Sequence, residues 1–426
     1  MAFSLRFPLF SSILLLLLLL TSLSEAKSNP TFHPNGLVLP ISKDASTLQY
    51  LTSINQRTPL VSVNVVLDLG GQSLWVVDCQ KGYKSSSYRH THCNSSQCHS
   101  APNPSCKNNI CSVIIDNTIT HTITTGNLGK DVVSIQSTDG SNPGQVVTIP
   151  HFLFACAPTF ILNGLASGAK GMAGLGQTSI SLPTQFATDF KFQKKFAICL
   201  SSSTSTAYNG VLFFGDGPYK FLPDIDVSPY LTYTRLYKNP VGSSSSEYFI
   251  GVKSIKVNEQ VVLLNTKLLS IHKNGHGGTK ISTVTPYTVM ESSIYKAVTR
   301  AFIKGVESRN ITRVDAVSPF GICFSTKNMV STRVGYGVPT IDLVLQNENV
   351  AWSIVGINSL VQVSNDVVCL GFLDGGSKPK TSIVIGGYQL ENNLLQFDLT
   401  KSELGFTSSL SFFQTACPDF NFTSSV

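Results

Sequence analysis

Two stretches of this chain, one in each half, carry the same landmarks in the same order, and any fold for the sequence must place them alike. In the first half the apolar run Val65-Val66-Leu67 leads into Asp68-Leu69-Gly70-Gly71, and Leu74-Trp75-Val76 follows. In the second half Lys280-Ile281 leads into Ser282-Thr283-Val284-Thr285, with Pro286-Tyr287-Thr288 after it. Each half then has an apolar element ending in glycine: Met172-Ala173-Gly174-Leu175-Gly176 in the first and Ile383-Val384-Ile385-Gly386-Gly387 in the second. The pattern predicts a duplicated architecture with one special loop per half. A boundary near residue 228 gives two parts, 27–228 and 229–426, each of ordinary domain size.

The elements between these landmarks read as strands. Short β-branched, apolar stretches recur at residues 61–67, 146–149, 211–214, 341–345 and 383–385, each near Gly, Pro, Asn or Ser. Residues 292–306 are the best helix, because Ile294, Val298, Phe302 and Val306 recur every four positions on one face. The serine-rich residues 241–246 read as an exposed loop or linker. With only 13% charged and 42% hydrophobic residues, the chain is neither a disordered polyelectrolyte nor a collagen or coiled coil. Its net charge of +7 is scattered, with no run of five basic residues, which speaks against a nucleic-acid footprint. Such a surplus suits work among acidic polymers or acidic protein partners.

Residues 1–26 read as a secretory leader: Arg6 precedes the apolar residues 13–20, and Ser24 and Ala26 flank Glu25 at a cleavage pattern. The apolar run is shorter than the ~20 residues a membrane span needs, so no membrane anchor is expected. All ten cysteines follow it: Cys79, Cys93, Cys98, Cys106, Cys111, Cys156, Cys199, Cys323, Cys369 and Cys417. An even count in an exported chain predicts five disulfides and no free thiol. The cluster Cys93 to Cys111 with His90, His92 and His99 offers zinc as a rival, but it has no C-x2-C pair, and no metal or other cofactor is expected. Three sequons, at Asn94, Asn310 and Asn421, mark candidate glycosylation sites.

Longer motifs make the duplication specific. The run Gly171-Met172-Ala173-Gly174-Leu175-Gly176 followed by Ser181-Leu182-Pro183, and the run Ile385-Gly386-Gly387-Tyr388-Gln389-Leu390 through Gln396-Phe397-Asp398 to Leu404-Gly405-Phe406, resemble plant members of the pepsin-like aspartic protease family. The segments at residues 44–50 and 54–60, and the ending Asn421-Phe422-Thr423, most resemble its non-proteolytic branch. That branch holds the carrot extracellular dermal glycoprotein, xyloglucan-specific endoglucanase inhibitors, cereal xylanase inhibitors and soybean basic globulin. The resemblance covers nearly the whole chain after the leader. It implies an all-β, bilobal pepsin-like fold with two β-rich lobes and few short helices.

Aspartic proteolysis needs two carboxylates that share one proton. The resemblance puts Asp68 at the first position, in a loop reading Asp-Leu-Gly instead of Asp-Thr-Gly or Asp-Ser-Gly. It puts Ser282, 282 − 68 = 214 residues later, at the second. Serine has no titratable carboxylate, and no aspartate lies between Asp226 and Asp315. Glu291 reads as a charge at a helix start. The covering hairpin, residues 118–132, also lacks the tyrosine of active members, since none occurs between Tyr88 and Tyr208. A degenerate, non-catalytic protease fold is therefore expected.

In the inhibitor branch, loops of the C-terminal lobe enter the cleft of a glycoside hydrolase. The resemblance places one inhibitory arginine at Arg333 and the other at Gln414, where arginine is missing, with Phe412 and Phe413 beside it as contact or packing residues. The function it implies is a secreted, apoplastic or wall-bound plant defence protein, monomeric alone and 1:1 with a microbial glycoside hydrolase. The foremost target is a xyloglucan-specific endo-β-1,4-glucanase of family 12. Alternatives are a family 11 xylanase inhibitor, a storage or peptide-binding globulin, and, last, a residual aspartic endopeptidase. No nucleic acid or membrane partner is expected.

Overall fold

The strand Lys195–Cys199 is buried along its whole length, as a short apolar run must be when a sheet continues on both sides of it. It pairs antiparallel with Gly210–Gly215 on one side and with Leu394–Asp398 on the other, Phe196 facing Phe214 and Phe397. Gly36–Lys43 extends the sheet beyond Gly210–Gly215, and Glu403–Phe406 and then Thr232–Tyr237 extend it beyond Leu394–Asp398. Three strands from each half thus form one continuous layer. At the seam the Phe196 and Phe397 rings stack, with centroids 4.7 Å apart. The Cys199–Cys417 disulfide ties the same strand to the end of the chain.

The computed structural model of the protein describes residues 32–77, 79, 82–205, 209–241 and 246–423. The expected leader lies outside the described residues, as does most of the serine-rich stretch. Pro34–Val426 makes one compact unit. The architecture is mainly strands, with one large sheet running through both halves and few helices. Among the described residues, no helix is long and apolar enough to cross a membrane.

The duplicated landmarks fold alike. Val61–Asp68 runs parallel to Gly171–Gly174, with Asp68 beside Gly174, and Leu74–Val77 returns antiparallel to the latter. In the second half Thr279–Ile281 runs parallel to Ile383–Ile385, and Thr288–Met290 returns antiparallel to it. Glycine is needed where the elements cross. A Cβ on Gly174 would stand 2.6 Å from the Gly71 carbonyl oxygen, and one on Gly386 would stand 2.3 Å from the Tyr287 backbone.

The helix forms at Ser292–Glu307 and buries Ile294, Val298, Phe302 and Val306, the face its periodicity predicts. Glu291 caps it, accepting from the backbone N–H groups of Ser293 at 2.8 Å and Ile294 at 3.2 Å. All ten cysteines are paired: Cys79–Cys156, Cys93–Cys106, Cys98–Cys111, Cys199–Cys417 and Cys323–Cys369. The four sulfurs that a zinc site would have used are therefore consumed in two bridges.

A buried polar knot also joins the halves. The Lys43 ammonium donates to the Glu391 carboxylate at 2.6 Å, and the Tyr50 hydroxyl donates to the same oxygen at 2.7 Å. Burial pushes the Glu391 carboxyl above its ordinary range, while the Lys43 charge and the two hydrogen bonds pull the other way.

Candidate functional site

Asp68 ends its strand at the point where Gly71 lets the backbone pass close under Gly174. Its carboxylate is almost fully buried and both oxygens are occupied. Oδ1 accepts from the Gly70 backbone N–H at 2.8 Å, and Oδ2 accepts from the Thr118 hydroxyl at 2.7 Å. Burial pushes this carboxyl up to about 6, against the pull of those two bonds and of the Lys280 charge, with Asp116 adding to the rise.

Thr118 comes from the tip of the hairpin formed by Ile110–Asn117 and Thr122–Thr138. The tip is pinned by the neighbouring Asn117, which is fully buried. Its Nδ2 donates to the carbonyls of Ile161 at 2.8 Å and Asn163 at 2.9 Å, and its Oδ1 accepts from the N–H groups of Ile119 and Thr120. This hairpin sets a threonine hydroxyl directly on Asp68.

The second-half loop approaches from the other side. The Thr283 hydroxyl donates to the Leu67 carbonyl at 2.8 Å and accepts from the Leu69 N–H at 3.2 Å, across 214 to 216 residues of sequence. Leu69 has no hydroxyl with which to return the contact, so the cross-brace is one-sided. Ser282, next to Thr283, is buried, and its Oγ lies 3.1 Å from the Thr285 hydroxyl. Its backbone N–H donates to Ile385 at 3.0 Å.

A cavity of about 270 Å³ opens beside Asp68 and is lined from both halves by Asp116, Thr118, Trp75, Asn239, Ser246 and Glu247, among others, but not by Ser282. Two further carboxylates therefore stand near Asp68. Glu247 is held at 2.6 Å by Lys280. Asp116, raised by burial, keeps one buried oxygen without a partner. Neither hydrogen-bonds Asp68, and no shared-proton pair forms among the described residues. Asp116 carries no mark in the sequence. Thr118 opens the covering hairpin and Thr283 follows Ser282 in the second special loop, but neither contact is written in the local sequence.

The other candidates lie away from this centre. Ser331–Thr332 and Gly335–Tyr336 form a two-stranded hairpin whose turn presents Arg333 to solvent. The turn itself is braced: the Ile357 N–H donates to Val334, beside Arg333, at 2.8 Å, and the Thr332 hydroxyl donates across the turn to Gly335 at 2.6 Å. Gly335 has φ +90°, and a Cβ there would stand 2.3 Å from the Ile357 nitrogen. Gln414 is exposed in the left-handed conformation at the end of Leu410–Phe413. Phe412 is half-exposed, whereas Phe413 packs on Tyr230 with centroids 4.8 Å apart, so only Phe412 is presented. Asn94 and Asn310 are exposed, while Asn421 is partly buried and accepts from Thr423.

The family model for the xylanase inhibitor N-terminal region matches residues 50–216, and that for the C-terminal region matches residues 247–408. This chain belongs to the xylanase-inhibitor family. It is 58% identical, over 97% of its length and 98% of the relative's, to a protein of Nicotiana benthamiana named probable aspartic proteinase GIP2. It is 44% identical to gamma conglutin 1 of Prunus dulcis, over 99% and 97% of the two chains. The crystal structure of edgp superposes with TM-score 0.89 at 57% identity, covering 93% of this chain and 100% of that one. An aspartic proteinase from Irpex lacteus, at 15% identity and TM-score 0.56, shows that the fold is pepsin-like. The family is the branch of that fold whose members are generally non-proteolytic.

Proposed function

We propose that this xylanase-inhibitor family member is a secreted, catalytically silent pepsin-like protein that blocks a microbial glycoside hydrolase, foremost a family 12 xyloglucan-specific endoglucanase. The observation that carries the reading is the contrast between its two sites. At the Asp68 site one carboxylate has both oxygens bound, Ser282 beside the bracing Thr283 offers a hydroxyl and no carboxylate, and Leu69 returns no side-chain bond to the brace. Proteolysis requires a carboxylate pair free to share a proton and hold water. At the Arg333 hairpin, by contrast, a guanidinium without an ion pair among the described residues stands exposed on a braced turn.

A retaining glycosidase holds two carboxyl groups about 5 to 5.5 Å apart in a cleft. A planar guanidinium can bond both oxygens of such a carboxylate. Rigid presentation lowers the entropy cost of inserting it. Gln414 brings hydrogen bonds without charge, so the second contact is weaker than an arginine would make. Five disulfides and the leader pattern support secretion into an oxidising space. A family 11 xylanase as target is the second reading, favoured by the family match itself.

Titration of a family 12 endoglucanase with the wild type and Arg333→Ala tests the proposal. Truncation should weaken inhibition by about 2 to 5 kcal/mol, as loss of a desolvated charged contact does. Equal inhibition constants would remove Arg333 from the interface. Absence of inhibition by either protein, followed by inhibition of a family 11 xylanase, would transfer the target to the second reading.

A further inference from the structure

The helix Ser292–Glu307 has a second face that its packing does not use. Lys296, Arg300 and Lys304 recur every four residues on it and are all exposed. At a rise of 1.5 Å per residue they form a row about 12 Å long. Like charges at this spacing repel by a few tenths of a kcal/mol per pair. None of the three makes an ion pair among the described residues. The row borders a groove of about 540 Å³ whose far side carries a fourth cation, Arg313, also exposed and without an ion pair. Glu307 is the one carboxylate lining it.

We infer that this groove binds an acidic linear polysaccharide, a chain of uronic acids whose successive carboxylates meet the Lys296, Arg300 and Lys304 row, with Arg313 closing from the opposite side. Charge complementarity selects a polyanion, and the groove's form selects among polyanions. It is a shallow, open surface whose cations form one row along a helix, with Arg313 the further cation lining it. A single-stranded nucleic acid would need a series of aromatic platforms for its bases. Here one tyrosine, Tyr295, lines the floor, half-buried with its hydroxyl close against Gly321. The floor is otherwise short and aliphatic or hydroxylic, with Thr299 and Ile303, which suits sugar rings laid edgewise along it. The site shares no residue with the Arg333 hairpin, so it could tether the protein to an acidic matrix while that hairpin stays free.

The test uses the full-length secreted protein on immobilised polygalacturonate, with a neutral xyloglucan matrix as control. Retention on polygalacturonate alone is expected, with affinity falling as salt rises. Lys296→Gln combined with Arg300→Gln should weaken binding roughly tenfold at low salt and reduce the slope of log affinity against log salt by about one to two, the number of cations removed. The charge-matched pair Lys238→Gln with Lys401→Gln, at exposed lysines outside the groove, should stay near wild type. Inhibition of the glycosidase by the Lys296/Arg300 variant should also be unchanged, which keeps this outcome separate from the fate of the proposed function. Equal retention of wild type and the groove variant would overturn the inference. So would equal losses in the two variant pairs, which would reduce the effect to net charge. Tighter binding to single-stranded DNA than to polygalacturonate at the same salt would reassign the groove to nucleic acid.

Discussion

At the scale of single residues, Asp68 is a carboxylate that the fold tolerates at a cost. Its pKa is raised to about 6 by burial, so the folded state holds a proton that the unfolded state releases near 3.8. The usual sign for an acid is reversed: the group's cost is absent below about pH 4, grows between about 4 and 6, and is complete above 6. A rise of this size corresponds to a cost on the order of 2–3 kcal/mol at neutral pH. Asp68→Asn keeps both contacts, since its amide oxygen can accept from Gly70 and its NH₂ can donate to Thr118. The variant should therefore unfold at higher temperature than wild type at pH 7.5 and at the same temperature at pH 4, read by thermal melts across that range. Proteolysis should be undetectable from pH 2 to 7, and Ser282→Asp should not restore it, because Thr118 still holds Asp68 and Leu69 still lacks the bracing hydroxyl. Pepstatin-sensitive cleavage of a denatured substrate by either protein would contradict this.

At the scale of elements, two hairpins do opposite things with similar means. The hairpin around Thr118 is pinned inward by Asn117, and Asn117→Ala would leave the buried Ile161 carbonyl unpaired and remove three part-buried contacts, to the Asn163 carbonyl and the Ile119 and Thr120 N–H groups. A loss of about 2 to 4 kcal/mol is expected in denaturant titrations, with faster amide exchange at residues 118–122. The hairpin around Arg333 is braced at its turn, where Val334 accepts from Ile357, and presents Arg333 outward. Gly335→Ala leaves the guanidinium intact but cannot keep φ +90° against Ile357 without shifting the turn. It should lower inhibition nearly as much as Arg333→Ala, whereas Arg333→Lys should recover part of the loss and Gln414→Arg should gain affinity if its loop reaches the target; inhibition constants for the four variants rank these effects. The helix at Ser292–Glu307, the acidic residue at its start and the paired glycine-ended elements were legible in the sequence because each is written in local periodicity or a short motif. The Thr118 and Thr283 contacts were not, because they join residues 50 and more than 200 positions apart and a threonine in a polar loop carries no mark of its partner.

At the scale of the whole molecule, a disulfide and a shared sheet tie the two halves together. The Cys199–Cys417 bridge spans 218 residues, and in the chain-entropy view a loop of that length gives up about 5 kcal/mol of unfolded-state freedom when closed. Replacing both cysteines by alanine should lower unfolding stability by about 3–5 kcal/mol, while loss of Cys93–Cys106, which closes 13 residues, should cost less; chemical denaturation of the two double variants compares them. The two-half architecture and the even cysteine count were readable from repeated landmarks and composition. The pairing partners were not, since spacing alone leaves many connectivities open.

The seam between Lys195–Cys199 and Leu394–Asp398 also sets a clock on synthesis. The first of these strands leaves the ribosome about 200 residues before its partner. At 5–20 residues per second it spends roughly 10 to 40 s with one hydrogen-bonding edge unclaimed. An apolar, unpaired edge is a template for joining the wrong chain. Every newborn copy therefore passes through an interval in which its first half is built but cannot be closed, and that edge must be shielded until Leu394–Asp398 arrives to complete it.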